Sequence, residues 1–229
     1  MARPFDLLDR EEQNKVKKVV SFELDEINKH FEESIKSIED TFEIYNNLEN
    51  DEQKCDILRY QVMFLESAVD FYMHEIIKYG MKKMYIGEWN RSTRYKNFQI
   101  KMEDVHELFI PDDEDTFEKI VNDTYEHNTF MSPTEIKKCL NLLDINHINI
   151  ANKVFFEKGS KENVSDKFKN FLEELYDRRN RIVHQSDRSH QDASKFEINL
   201  EYTKEKIDKV KSIIEAINHE IRTTKEHLE

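Results

Sequence analysis

Hydrophobic residues recur at steps of three and four along most of the chain, and this spacing predicts helices. The first run predicts one long helix over residues 11–48, because an apolar residue returns to the same face on almost every turn. Polar residues that favour helix caps and turns follow at Asn46, Asn47 and Asn50, so we expect a break near Asn50. The residues of the predicted face are Val20, Leu24, Ile27, Phe31, Ile38, Phe42 and Tyr45.

The second helix has the most regular apolar stripe, with steps that alternate between four and three from Leu58 to Tyr79. It is expected to end near Gly80. Such a stripe suits either an internal seam of a helical bundle or a dimer interface, because a helix cannot specify which partner covers it. The bundle seam is the simpler interpretation. The stripe consists of Leu58, Val62, Leu65, Val69, Tyr72, Ile76 and Tyr79.

The pattern weakens over residues 85–130, which predicts an insertion of short helical pieces. Ser132, Pro133 and Glu135 then form a strong helix-start signal, and a short helix is expected to reach Leu143. A polar connection and a break at Gly159 lead to a further helix, which carries Phe168, Leu172, Leu175, Arg179 and Ile182 on one face. The polar residues 187–194 suit a loop, and a last helix carries Ile207, Val210, Ile214, Ile217 and Ile221.

These elements together predict an all-α protein, an up-and-down helical bundle. The 229 residues include only three Gly and three Pro, which leaves few of the residues that turns between strands require. We expect a single domain over residues 1–229, with an N-terminal helical extension at 11–48 and an insertion at 85–130. Residues 164–224 then form a helix that carries a candidate site, followed by the final helix.

Charge and composition restrict the function classes. The formal net charge of −13 argues against a protein whose whole surface binds nucleic acid, so any RNA contact must be local. No stretch resembles a signal peptide or a membrane span, which favours a cytoplasmic location. Cys55 and Cys139 stand far apart without the spacing of a zinc site or a disulfide framework, so no metal or cofactor is expected.

Arg179 occupies a stripe position where an apolar residue is due, and a buried guanidinium requires an anionic partner. One interpretation is structural: Glu66 or Asp70 pairs with it, or the side chain reaches water. The other is functional, because Asn180 and His184 are four residues apart and share one side of the helix. Arg178, Arg181 and Arg188 form a small basic patch around them, in which Asp187 is the only carboxylate.

The segment LYDRRNRIVH, residues 175–184, resembles the R-x4-6-H motif of the HEPN superfamily, with Asn180 as the polar residue that often follows the arginine. HEPN domains are helical bundles in which this motif lies late in one long helix. The general plan from about residue 55 to 221 is similar, and the layout resembles the stand-alone bacterial RiboL-PSP group. Arg178 also lies within the permitted spacing from His184, but Arg179 directly precedes Asn180.

The resemblance implies a metal-independent endoribonuclease in which two copies of the chain form one composite cleft. Arg179, Asn180 and His184 would be the catalytic residues, and Arg178, Arg181 and Arg188 would contact RNA. An imidazole can take and give a proton, and an arginine can stabilise the charge on phosphorus. The expected partners are RNA, a second copy of the chain, and an antitoxin or nucleotidyltransferase. The alternative is a non-catalytic HEPN module that binds RNA, a nucleotide or a protein.

Three weaker signals have ordinary structural interpretations. His74 lies within the second helix, and a lone helical histidine is more often hydrogen-bonded or exposed than catalytic. Residues 112–115 are all acidic, but they suit the first turn of a helix better than a metal loop. Trp89, Arg91, Arg94 and Tyr95 have the composition of an RNA-stacking surface, yet packing of the aromatic rings onto the bundle is the commoner arrangement.

Overall fold

The computed structural model describes residues 21–108 and 116–226. The described residues are helical with short connections, and they contain no β-strand beyond one isolated bridge between Arg188 and Lys195. The prediction of an all-α bundle is therefore confirmed. The helices are α1 (Leu24–Asn47), α2 (Asp51–Ile86), α3 (Thr93–Lys96), α4 (Met102–Leu108), α5 (Thr116–Tyr125), α6 (Pro133–Leu142), α7 (His147–Phe155), α8 (Val164–Gln185) and α9 (Leu200–Thr224).

Helix α1 begins later than the sequence pattern predicted. Residues 21–23 are not helical, and the carboxylate of Glu26 accepts a hydrogen bond from the backbone N–H of Glu23 at 3.2 Å, which helps to cap the first turn. The prediction of one continuous helix over 11–48 is thus wrong at residues 21–23. Residues 11–20 lie outside the described part of the chain. The predicted break near Asn50 is confirmed, because the Asn50 side chain caps the start of α2.

Helix α2 is the central element and contacts α1, α5, α6, α8 and α9. Every residue of its predicted stripe, from Leu58 to Tyr79, is buried within the one chain, so the stripe is a bundle seam. The predicted end at Gly80 is wrong, since α2 continues to Ile86 and ends at Gly87 in a left-handed conformation with φ 86°. Gly80 instead permits close packing, because a β-carbon there would lie 2.6 Å from Cδ2 of Leu143 and 2.9 Å from the Trp89 ring.

The predicted insertion consists of short helical pieces that pack on the second half of α2. Trp89 is buried and makes an edge-to-face contact with Tyr79, and the Arg91 guanidinium hydrogen-bonds the Met84 carbonyl. This confirms the packing interpretation of the aromatic and basic residues that follow α2. Helix α5 contacts α2 and α4, and its acidic predecessors at 112–115 lie outside the described residues.

The second half of the chain completes the core. The Ser132 hydroxyl accepts a hydrogen bond from the N–H of Glu135, and Pro133 is the first residue of α6, as predicted. Helix α8 packs on α2 and α7, and α9 packs on α2 and α7. None of the helices in the described ranges is both long and apolar enough to cross a membrane.

Candidate active site

Helix α8 carries the candidate motif on a face that is mostly apolar. Phe168, Leu172, Leu175 and Ile182 are buried, as the periodic pattern predicted. Arg179 interrupts this face and is only half-buried. The chain therefore places a guanidinium at the edge of its core, where the low dielectric strengthens its interaction with any anion.

The side chain of Arg179 lies in a cleft of about 400 Å³ between α2 and the segment that leads from α5 to α6. Its Nη1 donates a hydrogen bond of 3.1 Å to Oδ1 of Asn180, whereas its Nε is buried and has no hydrogen-bond partner. Residues of α2 line one wall of the cleft, including Ser67, Phe71 and His74. Because Nε is enclosed, only the terminal nitrogens of the guanidinium can reach a ligand in the cleft, where a guanidinium is a suitable partner for a phosphate.

The predicted partners Glu66 and Asp70 do not neutralise Arg179. Within the described residues neither carboxylate forms an ion pair with it at 4.0 Å or less; Asp70 accepts a hydrogen bond of 2.5 Å from the N–H of Phe130. Glu66 is 1% exposed, and burial raises the pKa of its carboxyl to about 8, although the nearby charge of Arg179 opposes this shift. At neutral pH the group next to Arg179 is therefore mainly the uncharged acid.

Asn180 and His184 lie one helical turn apart near the end of α8. His184 is exposed, and Asn180 is half-buried and bonded to Arg179. Neither Asn180 nor His184 is among the described residues that line the Arg179 cleft. One copy of the chain thus joins Arg179 to Asn180 directly but leaves the imidazole open to solvent on an adjacent surface.

Arg178 has a structural position that the sequence did not reveal. It is buried, and its Nη2 lies 2.7 Å from Oδ2 of Asp187, which also accepts a bond of 2.8 Å from Nε of Arg59. Asp187 is 0% exposed and is held in a left-handed conformation with φ 55°. The prediction that Arg178 contacts a substrate must be revised, because its guanidinium is already occupied by a buried carboxylate and by the carbonyl of Glu197.

The other two arginines of the basic patch differ in exposure. Arg181 is half-buried with its guanidinium 4.9 Å from the centre of the Phe196 ring. Arg188 is exposed and donates a hydrogen bond of 2.6 Å to the carbonyl of Ala193 in the following loop. The basic patch is therefore smaller than its sequence suggests, since Asp187 compensates part of its charge.

His74 belongs to the Arg179 cleft, although sequence reasoning left it out. Its Nε2 lies 3.1 Å from the Asn128 carbonyl oxygen, and its ring packs against Phe130 with centroids 4.7 Å apart. The sequence signal was its place on α2 seven residues after Ser67, on the same face. These contacts give His74 a role in holding the 128–130 segment against the cleft.

The described residues contain no group of three or more His, Cys, Asp or Glu side chains arranged to hold a metal ion. Cys55 is half-buried and Cys139 is buried, and both are free thiols. Burial also raises the pKa of the Cys139 thiol well above its usual range.

Comparison with known proteins adds no relative from which a role could be transferred: no family model, curated protein or solved structure matches the chain.

Proposed function

We propose that this chain is a metal-independent endoribonuclease of the HEPN type, with Arg179, Asn180 and His184 at a site that two copies of the chain complete. The observation that carries the proposal is the state of Arg179: its half-buried side chain lines a cleft, it forms no ion pair of 4.0 Å or less with Glu66 or Asp70, and it lies beside a carboxyl whose pKa is about 8. A charge kept unneutralised in this way is suited to an anionic ligand.

The proposed reaction uses the ribose of the substrate as the nucleophile. The 2′-oxygen attacks phosphorus as its proton leaves, the bond to the 5′-oxygen breaks, and that oxygen is protonated. The products are a 2′,3′-cyclic phosphate and a 5′-hydroxyl end. His184 acts as the base or as the acid, and two copies supply the two imidazoles that both roles require.

Arg179 stabilises the charge that builds on the phosphorane, and Asn180 holds the guanidinium through its Oδ1. Glu66 contributes by remaining uncharged near neutral pH, because an ionised carboxylate in its place would compete with the phosphate for Arg179. Arg181 and Arg188 add local positive charge in a chain whose net charge is −13. DNA is not a substrate of this mechanism, because it lacks the 2′-hydroxyl.

The resemblance to the HEPN superfamily suggests a biological setting in toxin–antitoxin systems or phage defence in the cytoplasm. An antitoxin or nucleotidyltransferase partner would then control the activity. These roles rest on the ten-residue motif of residues 175–184 and on the late position of α8 in the bundle.

The competing function is a HEPN-like module that binds RNA, a nucleotide or a protein without cleavage. The position of His184 favours it, because the imidazole lies outside the Arg179 cleft of its own copy within the described residues. A binding site needs only the guanidinium and its cleft, whereas cleavage needs the imidazole as well.

RNA cleavage in excess EDTA tests the proposal directly. We expect single-stranded RNA to be cut to cyclic-phosphate ends, and His184→Ala to lower the rate by at least about 100-fold. Arg179→Ala should lower it by about 100-fold to 1000-fold. His190→Ala and Arg94→Ala are matched controls, since both side chains are exposed and stand outside the motif.

Two results would separate the competing functions. Binding of RNA without turnover, weakened by Arg179→Ala and unchanged by His184→Ala, supports the binding module. No cleavage of any RNA by the folded parent protein contradicts the endoribonuclease.

A further inference from the structure

Helix α2 has a second stripe, beside the buried seam, whose aromatic side chains are left partly open to solvent by the described residues. It repeats with the same steps of four and three, through Tyr60, Phe64, Ser67, Phe71 and His74. Tyr60 is 52% exposed, Phe64 60% and Phe71 43%. Exposed aromatic side chains at the spacing of a coiled-coil seam are typical of a helix that packs against a partner.

Helix α1 lies beside this stripe and borders it with small side chains. A groove of about 340 Å³ runs between Phe64 and Phe71 and is bordered by small side chains of α1, including Ser34, Ser37 and Thr41. Ile44, which is 52% exposed, follows on the same side of α1. We call this surface the α1/α2 face; its exposed apolar residues are Ile44, Tyr60, Phe64 and Phe71.

We infer that the α1/α2 face is the surface through which two copies of this chain dimerise, with their α2 helices antiparallel and crossing at Ser67. The stripe is close to self-complementary in this register: Tyr60 of each copy lies opposite His74 of the other, and Phe64 lies opposite Asp70 and one position from Phe71. A two-fold interface is built from such reciprocal pairs. Ser67 at the centre is small and lets the two helices approach closely.

Charge supports a second copy as the occupant. The stripe from Tyr60 to Phe71 is uncharged at its exposed positions, and two copies that each carry a net charge of −13 repel least across such a face. The same register places Lys78 of one copy opposite Asp56 of the other. These residues already pair with Glu75 and Arg59 in their own copy, so the contact joins two existing ion pairs.

The exposed aromatic side chains supply part of the area that a stable dimer needs. Half-exposed aromatic side chains offer roughly 100 Å² each, so three in each copy supply about 600 Å². This is about half of the smallest standard interface of ~1,200 Å². The inferred dimer therefore also requires burial of the groove and of the adjoining surface of α1.

This dimer would bring two Arg179 clefts to the same two-fold axis. Ser67 and Phe71 line both the groove of the α1/α2 face and the cleft that holds Arg179. The helices that cross at Ser67 therefore place the two guanidinium groups on either side of the crossing. That this arrangement completes a cleavage site rests on the proposed function, whereas the dimer itself does not.

Sedimentation of the full chain tests the dimer without RNA. We expect the mass of two 27.7 kDa chains for the parent protein, and association weakened by roughly 30-fold or more for Phe64→Glu. Phe156→Glu is the matched control, because Phe156 is 69% exposed and directly follows α7, which packs on α8 and α9. It should leave the dimer unchanged.

The register has its own test. Ser67→Cys should form a disulfide-linked dimer under mild oxidation, since the two cysteines meet at the crossing point, whereas Ser212→Cys on the exposed side of α9 should not. A monomeric parent at high concentration overturns the inference, whether residues 1–20, RNA or another protein covers the face instead. A dimer that resists Phe64→Glu and is not linked through Ser67→Cys also overturns it.

The two proposals can fail separately. A dimer with the expected behaviour that never cleaves RNA retains this interface and contradicts the nuclease. Cleavage by a protein that stays monomeric retains the nuclease chemistry and contradicts the interface.

Discussion

A single buried acid, Glu66, links the stability of the fold to the electrostatics of the site. Its side chain is almost fully enclosed, and the pKa of its carboxyl rises from an ordinary value of 4.5 to about 8. The folded state thus retains a proton that the unfolded chain releases above about pH 4.5. The free energy of unfolding must therefore fall as the pH rises from about 4.5 to about 8, and it should change little from this group beyond that range.

Replacement of Glu66 by glutamine tests this linkage. At pH 8 the free energy of unfolding of Glu66→Gln should exceed that of the parent by roughly 2 kcal/mol or more, because the amide never ionises. The difference should disappear near pH 4.5. Urea unfolding at a series of pH values measures it. Glu173→Gln on the exposed side of α8 is the control and should follow the parent. A constant difference at every pH would contradict the shifted pKa.

The candidate site was partly predictable from single residues. Arg179 was identifiable because a charged residue interrupts an otherwise apolar stripe, and burial of the stripe's other members confirms that pattern. The choice between Arg178 and Arg179 was not decidable from spacing. It depends on Asp187, whose left-handed backbone turns its carboxylate towards Arg178 and towards Arg59, which is 128 residues away in the sequence.

At the scale of elements, the apolar periodicity predicted which helices exist better than where they end. The pattern of α1 continues through residues 21–23, but the chain there is non-helical and the helix is capped at Glu23. Gly80 suggested an end for α2 because glycine is a common helix stop. Its actual role depends on Leu143 and Trp89, which come from distant parts of the sequence and pack where a side chain would lie.

The packing at Gly80 reverses the usual effect of an alanine substitution. Alanine in a helix interior is ordinarily favourable by roughly 0.5–1 kcal/mol over glycine. At position 80 a β-carbon would meet the fully buried Leu143, so we expect Gly80→Ala to destabilise the protein by about 1–3 kcal/mol. Chemical denaturation measures the change.

A double-mutant cycle identifies the cause. In a Leu143→Ala background the obstructing methyl groups are gone, and Gly80→Ala should cost much less than in the parent. Equal costs in both backgrounds would contradict steric conflict with Leu143.

At the scale of the whole molecule, Asp187 ties the last turn of α8 to α2 and to the loop before α9. Its Oδ2 accepts hydrogen bonds from Arg59 and Arg178. The Arg59 guanidinium also donates to the backbone carbonyl of residue 196, and the Arg178 guanidinium donates to that of residue 197. The N–H of Asp187 donates to the Arg181 carbonyl. This buried cluster fixes the point at which the motif helix ends, one residue after His184.

Removal of the carboxylate should be costly because it takes from the buried Arg178 its carboxylate partner and leaves the buried Arg59 with Asp56 alone. We expect Asp187→Ala to lower the free energy of unfolding by about 3–5 kcal/mol, whereas Asp177→Ala on the exposed side of α8 should change it little. Thermal unfolding monitored by circular dichroism compares the two. A loss of less than about 1 kcal/mol for Asp187→Ala would show that the cluster is not a structural centre.

The Asp187 cluster also determines when the motif can reach its folded structure during synthesis on the ribosome. Synthesis proceeds at about 5–20 residues per second, so α2 emerges several seconds before the carbonyls of Phe196 and Glu197. The turn that terminates α8 has all its partners only after residue 197 has been added, with 32 of the 229 residues still to come. A nascent chain therefore carries the residues of the motif about 1–3 seconds before it carries the motif in its final shape.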